Sequence, residues 1–174
     1  MTDPRYPIGR PASLGPFSDA ERLALIDKLE RAPGLLRQAV EGLSDPQLDT
    51  PYRDGGWTLR QVVHHLADSH LNAYARFRLA LTEDHPTIKA YEEKRWAELP
   101  DAARLPVAVS LQLLDALHLR LVALLRSLQP EDFARPFLHP ESGAHDVDWL
   151  LAIYGWHGAH HIAHITSLRA SQGW

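Results

Sequence analysis

The sequence predicts an all-α fold, a four-helix bundle in one domain spanning residues 1–174. Three observations carry this. Four segments, each about 20 to 25 residues long, repeat apolar side chains at spacings of three and four. Capping residues stand where those segments begin. No segment carries the strict alternation of a half-buried strand.

The first helix is expected from Ser18 to about Leu43, with Asp19 and Glu21 as early negative charge. Leu23, Leu25, Ile26, Leu29, Leu36, Ala39, Val40 and Leu43 form its apolar stripe, and an irregularity is expected before Pro33. A loop rich in aspartate, proline and glycine follows from Ser44 to Trp57. Thr58 opens the second helix, and Gln61 completes a capping box three residues later. That helix should run to about Thr82.

From Glu83 to Leu105 the pattern is less regular, because Pro86, Pro100 and Pro106 limit any helix there; one short helix is expected between Thr87 and Leu99. The connection is long enough to cross the bundle, and connections of that length are often functional. The third helix should span Val107 to Leu128 on a strong leucine stripe. A proline-containing loop from Gln129 to His145 leads to the fourth, capped by Asp146 or Asp148, running to Ser171 and ended by Gly173. Residues 1–17, with Pro4, Pro7, Pro11 and Pro16, read as an extended arm lying on the domain. The arm lacks the apolar stretch of a signal peptide.

Composition excludes several classes of function. Hydrophobic residues are 45% and charged residues 23% of the 174, the balance of an ordinary globular domain. A net charge of −4 argues against a sequence-independent nucleic-acid binder or a polybasic membrane module. The longest apolar stretch, Val107 to Leu125, is broken by Ser110, Gln112, Asp115, His118 and Arg120, so no membrane span is expected and a cytoplasmic location is. The absence of cysteine removes disulfides, thiolate-bound zinc and a cysteine nucleophile. Histidine is the anomaly: there are 11, against 10 glycines.

Seven of those histidines fall in two helical segments: His64, His65 and His70 on the second helix, and His157, His160, His161 and His164 on the fourth. At 3.6 residues per turn His161 lies about 40° from His157, one turn further on, and His160 and His164 repeat the relation. All four share the arc of Leu150, Ile153, Tyr154 and Leu168, which should face the core. Unpartnered inward imidazoles are costly, and a metal ion relieves that cost for two or three of them. Two histidines four apart on one helix can share an ion, with a third ligand from another helix. Such a site leaves a position open for water or substrate. Periodicity leaves His65 and His70 as comparable third ligands and turns His64 toward solvent. His85, His118, His139 and His145 need no special role.

Long segments of the chain are familiar. The run Tyr52-Arg53-Asp54-Gly55-Gly56-Trp57-Thr58-Leu59-Arg60-Gln61-Val62-Val63-His64-His65-Leu66-Ala67-Asp68-Ser69-His70 resembles the YfiT family of metal-dependent hydrolases, within the DinB-like superfamily. So do Arg76-Phe77-Arg78-Leu79-Ala80-Leu81-Thr82-Glu83 and Tyr154-Gly155-Trp156-His157-Gly158-Ala159-His160-His161-Ile162-Ala163-His164-Ile165. The likeness extends from Tyr6-Pro7-Ile8-Gly9 to Gly173-Trp174. It implies a DinB-like four-helix bundle, commonly a homodimer, with a divalent metal on three histidines. The family pattern places those ligands at His65, His157 and His161, and leaves His70, His160 and His164 as pocket or supporting groups.

Two chemistries follow from such a centre. A hydrolase would use the ion to activate water, but Gly158 stands where a zincin carries its glutamate base. A base must then come from elsewhere, with Asp68, His160 and His164 as candidates. The alternative is transfer of a low-molecular-weight thiol, such as bacillithiol or mycothiol, which relatives in the superfamily resemble in activity; the ion would activate the sulfur without a carboxylate base. Arg53, Arg60, Arg76 and Arg78 are candidates for binding its carboxylates, and Tyr74 and Tyr154 for lining the pocket. Trp57 and Trp156 are expected to pack. A non-catalytic metal- or haem-binding module is a third reading, haem needing a roomy apolar cavity. Zinc is the expected ion, with nickel or iron also accepted by such donors. The expected partner is a small-molecule substrate, with neither nucleic acid nor membrane.

Overall fold

The computed structural model describes residues 3–174; the first two residues of the expected arm lie outside the described residues. Helix α1 spans Asp19–Val40 and opens on a reciprocal cap, in which Ser18 N donates to Glu21 Oε2 at 2.8 Å and Ser18 Oγ accepts from Glu21 N. It passes through Pro33 without a break and stops at Val40, three residues earlier than expected, ahead of Gly42 at φ +76°. Four residues of the following loop, Asp45–Leu48, form the short helix α2. Helix α3, Leu59–Thr82, begins on the expected Thr58–Gln61 capping box.

The connection after α3 holds two short helices rather than one, α4 (Glu93–Ala97) and α5 (Pro100–Arg104). Pro100 begins a helix where it was expected only to limit one, because proline at the first helical position has no amide hydrogen bond to lose. Helix α6 spans Val107–Arg126. A 3₁₀ turn at Pro130–Ala134 then leads into two strands that the sequence does not announce, β1 (Pro136–His139) and β2 (Gly143–Asp146). They pair antiparallel from Pro136 opposite Asp146 to His139 opposite Gly143. Four-residue strands are too short for alternation to reveal. Helix α7, Val147–Gln172, is capped by Asp146, whose carboxylate accepts from Trp149 N at 2.9 Å, and ends at Gly173 with φ +72°.

Four long helices form the bundle. Helix α1 packs on α6 and α7, and α3 packs on the same two. Two consecutive long helices, α6 and α7, therefore occupy opposite corners, while α3 and α7 are neighbours. By length and composition α6 could cross a membrane, but its buried residues, among them Leu111, Leu114, Leu121 and Leu125, are the bundle core.

The core is in two parts. One end gathers Ile26, Leu29, Phe77, Leu121, Leu125, Leu150 and Leu151; the other gathers Leu36, Val40, Leu59, Val62, Val63, Leu66, Leu111, Leu114 and Ile165. Between them, at Pro33 on α1, His70 on α3, His118 on α6 and His157 to His161 on α7, the layer is largely imidazole.

Two further ties matter for the site. The hairpin grips the start of the long connection, with Ile88 N donating to Leu138 O and Leu138 N to Pro86 O, both at 2.9 Å. The arm, residues 3–17, runs along α7: Trp156 Nε1 donates to Gly9 O, and Phe17 N donates to Asp148. Asp148, 2% exposed, also accepts from Arg22 Nε and Nη2 at 2.9 and 2.8 Å. Asp148 thus joins arm, α1 and α7 through one buried carboxylate. Asp148→Ala would leave the Arg22 guanidinium only its exposed partner Asp19 and should cost about 3 kcal/mol, read by denaturant unfolding.

Candidate metal centre

Helices α3 and α7 lie side by side, so the imidazole of His65 meets the i,i+4 pair His157 and His161 across their seam. One ring nitrogen from each of the three lies within 4.8 Å of the others. The closest approach is His65 Nε2 to His157 Nε2, 3.4 Å. His65 is 3% exposed and His161 7%, whereas His157 is half-buried. The Trp57 ring, centred 4.6 Å from that of His65, packs against the cluster, as expected of it.

Burial, reinforced by the neighbouring histidines, holds His157 and His161 well below the usual imidazole range and lowers His65 to about 4. The three rings are therefore neutral at physiological pH, the form in which imidazole binds a metal. Two nitrogens on a tetrahedral zinc, each about 2.0–2.1 Å from it, stand about 3.3–3.4 Å apart. The His65–His157 separation matches that spacing, and a cation between the two nitrogens would satisfy both. The residues present fit a divalent ion. His70, the other ligand left open by periodicity, is not in this group: its Nε2 meets the outer nitrogen of His157, Nδ1, at 3.3 Å.

The remaining candidates are placed as follows. His64 does not face solvent; it is buried, with Nδ1 at 2.7 Å from Ser110 Oγ and Nε2 at 3.0 Å from Leu105 O. The α5–α6 connection covers it, a contact that helical periodicity on α3 cannot show. His160 stacks on Trp156 with centroids 4.2 Å apart, and its buried Nδ1 has no partner among the described residues. His164 stacks on Tyr52 at 4.1 Å and faces His161, Nδ1 to Nδ1, at 3.2 Å. His160 and His164 also form a second close group, sharing His161. Asp68 is half-buried and outside both groups; burial, with Asp101 adding repulsion, raises its carboxyl to about 6.

Of the four arginines, Arg60 is committed to structure, donating to Asp49 at 2.7 Å, Asp45 at 2.8 Å and Leu105 O. Arg53 bonds Tyr52 and the Asp54 carbonyl, and Arg78 lies over Tyr74. Arg76 alone reaches the site's opening. It donates to Tyr154 Oη at 2.8 Å and to Lys89 O at 3.1 Å, and its buried Nε has no partner among the described residues. Tyr74 Oη is also buried without one.

His157 forms part of the wall of a cleft of about 460 Å³, which Ser69, Arg76, Tyr91, Glu93, His139 and Tyr154 also line. Tyr91 and Glu93 come from the long connection and His139 from the hairpin. None of the three was a sequence candidate, since the cleft exists only where hairpin and connection meet. His118 was also missed, although its place in the α6 leucine stripe marks it as inward. The lining is polar and charged, unlike the apolar chamber a haem needs.

A family model described as the DinB superfamily matches residues 28–165. A protein of Bacillus mycoides (strain KBAB4) named "Putative metal-dependent hydrolase" is 53% identical over the full length of both chains, and one of Bacillus cereus (strain B4264) with the same description is also 53% identical over both full lengths. The solved structure of YfiT from Bacillus subtilis, described as "a probable metal-dependent hydrolase with an unusual four-helix bundle topology", aligns at TM-score 0.96 and 49% identity over 99% of each chain. A second solved four-helix bundle protein aligns at TM-score 0.54 and 24% identity, over 88% of this chain and 99% of that one, and bears on the fold alone.

The depressed imidazoles have a consequence for stability. A histidine with a folded pKa below its unfolded value contributes stability in full above about pH 6.5 and loses it as pH falls toward the folded value, about 4 for His65 and His160. Asp68, raised by folding, acts in the opposite sense between about pH 4 and 6, but it is one group against several. The metal-free protein should therefore lose thermal stability from pH 6.5 downward, with more than one proton taken up per molecule unfolded. Melting temperature against pH checks this.

Proposed function

We propose that this chain, which belongs to the DinB superfamily, is a metal-dependent hydrolase of a small molecule, with His65, His157 and His161 holding one divalent ion. The observation that carries the reading is the convergence of three neutral imidazoles from α3 and α7, two buried and one half-buried, beside an open cleft. Zinc suits the all-nitrogen donor set and the 3.4 Å spacing. The names of the similar Bacillus proteins support the reaction class.

An ion held by three neutral histidines supplies Lewis acidity to whatever enters its remaining positions. The chain's own residues do the rest. His157 belongs both to the ligand group and to the cleft wall, so a substrate in the cleft lies beside the ion. Arg76 is steadied by Tyr154 and Lys89 O at the cleft wall and offers its charge to an anionic group of the substrate. Trp57 and the two apolar ends of the core keep bulk water from the other faces of the ligands.

One observation favours a second reading. Gly158 occupies the position of a zincin's base, and no carboxylate belongs to the converging group. Transfer of a low-molecular-weight thiol to an electrophile needs no such base, because a bound divalent ion would lower the thiol pKa enough for its proton to pass to water. The two readings share the ion and differ in the nucleophile. Purified protein should contain about one divalent ion per chain, and His157→Ala should lose it; a variant that retains a full complement of metal would overturn the ligand assignment. Panels of ester and amide substrates without thiol, and of electrophiles with a small thiol, separate the two chemistries. Turnover only when thiol is present would replace the hydrolase reading with the transferase one.

A further inference from the structure

We propose that His118 and His70 are positioning residues, forming a hydrogen-bond relay from the Leu29 carbonyl to His157 that sets which nitrogen His157 offers to the ion. The inference rests on the metal reading for its purpose, but the relay itself is a property of the chain.

Its origin is Pro33. In an α-helix the amide of residue 33 would bond the carbonyl of residue 29, but proline has no N–H, so the Leu29 carbonyl loses its helical donor. His118 of α6 takes that place, with Nδ1 at 2.7 Å from Leu29 O. A carbonyl only accepts, so the proton is on His118 Nδ1, and in the neutral ring Nε2 is left as an acceptor. His118 Nε2 is 2.9 Å from His70 Nδ1. His70 must therefore donate through Nδ1, which leaves its Nε2 as an acceptor in turn. His70 Nε2 is 3.3 Å from His157 Nδ1, so His157 carries its proton on Nδ1 and turns a bare Nε2 toward His65.

Each step leaves a single choice. One backbone carbonyl on α1 thus determines the tautomer of a ring on α7, through rings on α6 and α3. The packing allows it because α7 comes close at Gly158, where a Cβ would stand 3.3 Å from Ala32 Cβ. His161 is treated in the same way on its outer side. His164 Nε2 donates to Arg5 O at 3.3 Å, so His164 Nδ1 accepts from His161 Nδ1 at 3.2 Å, and His161 Nε2 is left bare. Outer hydrogen bonds of this kind orient metal-bound histidines, and losing one typically costs 10–100-fold in metal affinity.

Two measurements test the relay. Nitrogen-15 NMR of the histidine rings in the metal-free protein should show protons on Nδ1 at His118, His70 and His157. The Nε2-protonated form at His70 or His157 would overturn the proposal. Zinc titration of His118→Phe, which keeps a ring but no acceptor, should show affinity about 10–100-fold weaker at unchanged helix content. His118→Gln restores an acceptor near the Nε2 position and should recover most of that loss together with the His157 ring shifts. Wild-type affinity in the phenylalanine variant, or a glutamine variant no better than it, would also overturn the relay. If the wild-type protein binds no zinc, the metal reading fails, and the ring tautomers decide the relay alone.

Discussion

A layer of imidazoles laid across a helical bundle imposes one constraint on everything around it: every ring nitrogen removed from water must find a partner. Here the layer divides an apolar core into two ends, its rings coming from α3, α6 and α7 and a backbone carbonyl from α1. His118 finds a carbonyl that Pro33 has freed, His70 finds His118, and His157 finds His70. Beside them a set of nitrogens on His65, His157 and His161 faces one another. A cation is the partner such a set lacks. The proposed metal centre thus borders a hydrogen-bond problem solved elsewhere in the layer.

Topology makes that arrangement useful. Because α6 and α7 occupy opposite corners, α3 and α7 are neighbours, and His65 of α3 reaches His157 and His161 on α7. The same chain path throws the long α3–α6 connection and the β1–β2 hairpin to one side, where hydrogen bonds between residues 86–88 and Leu138 hold them together. Between them and the bundle lies the cleft that His157 borders. The bundle fixes the three histidines, and the irregular segments shape what can reach them, the usual division between rigid scaffold and functional loops.

The four long helices are legible in the sequence because long apolar periodicity and capping boxes are strong local signals, as at Ser18–Glu21 and Thr58–Gln61. The hairpin and the second short helix of the connection are not, since four or five residues carry too little pattern and Pro100 can open a helix as well as close one. The inward histidine pairs on α7 are legible as a face. Periodicity on α3 alone leaves His65 level with His70; family resemblance names His65, and in the structure the two rings meet opposite sides of His157. His64 is misjudged as solvent-facing because its cover comes from another segment. Pro33 appears locally as a helix defect, and its role emerges only once α6 is packed against it.

The central claim is that His65, His157 and His161 together hold one divalent ion through their Nε2 atoms. X-ray absorption spectroscopy of the zinc-loaded protein tests it most directly. The account predicts three imidazole nitrogens at about 2.0–2.1 Å, with the outer-ring scattering of histidine, and one further light-atom ligand. A zinc site with fewer than two imidazoles, or one dominated by carboxylate oxygens, would contradict it.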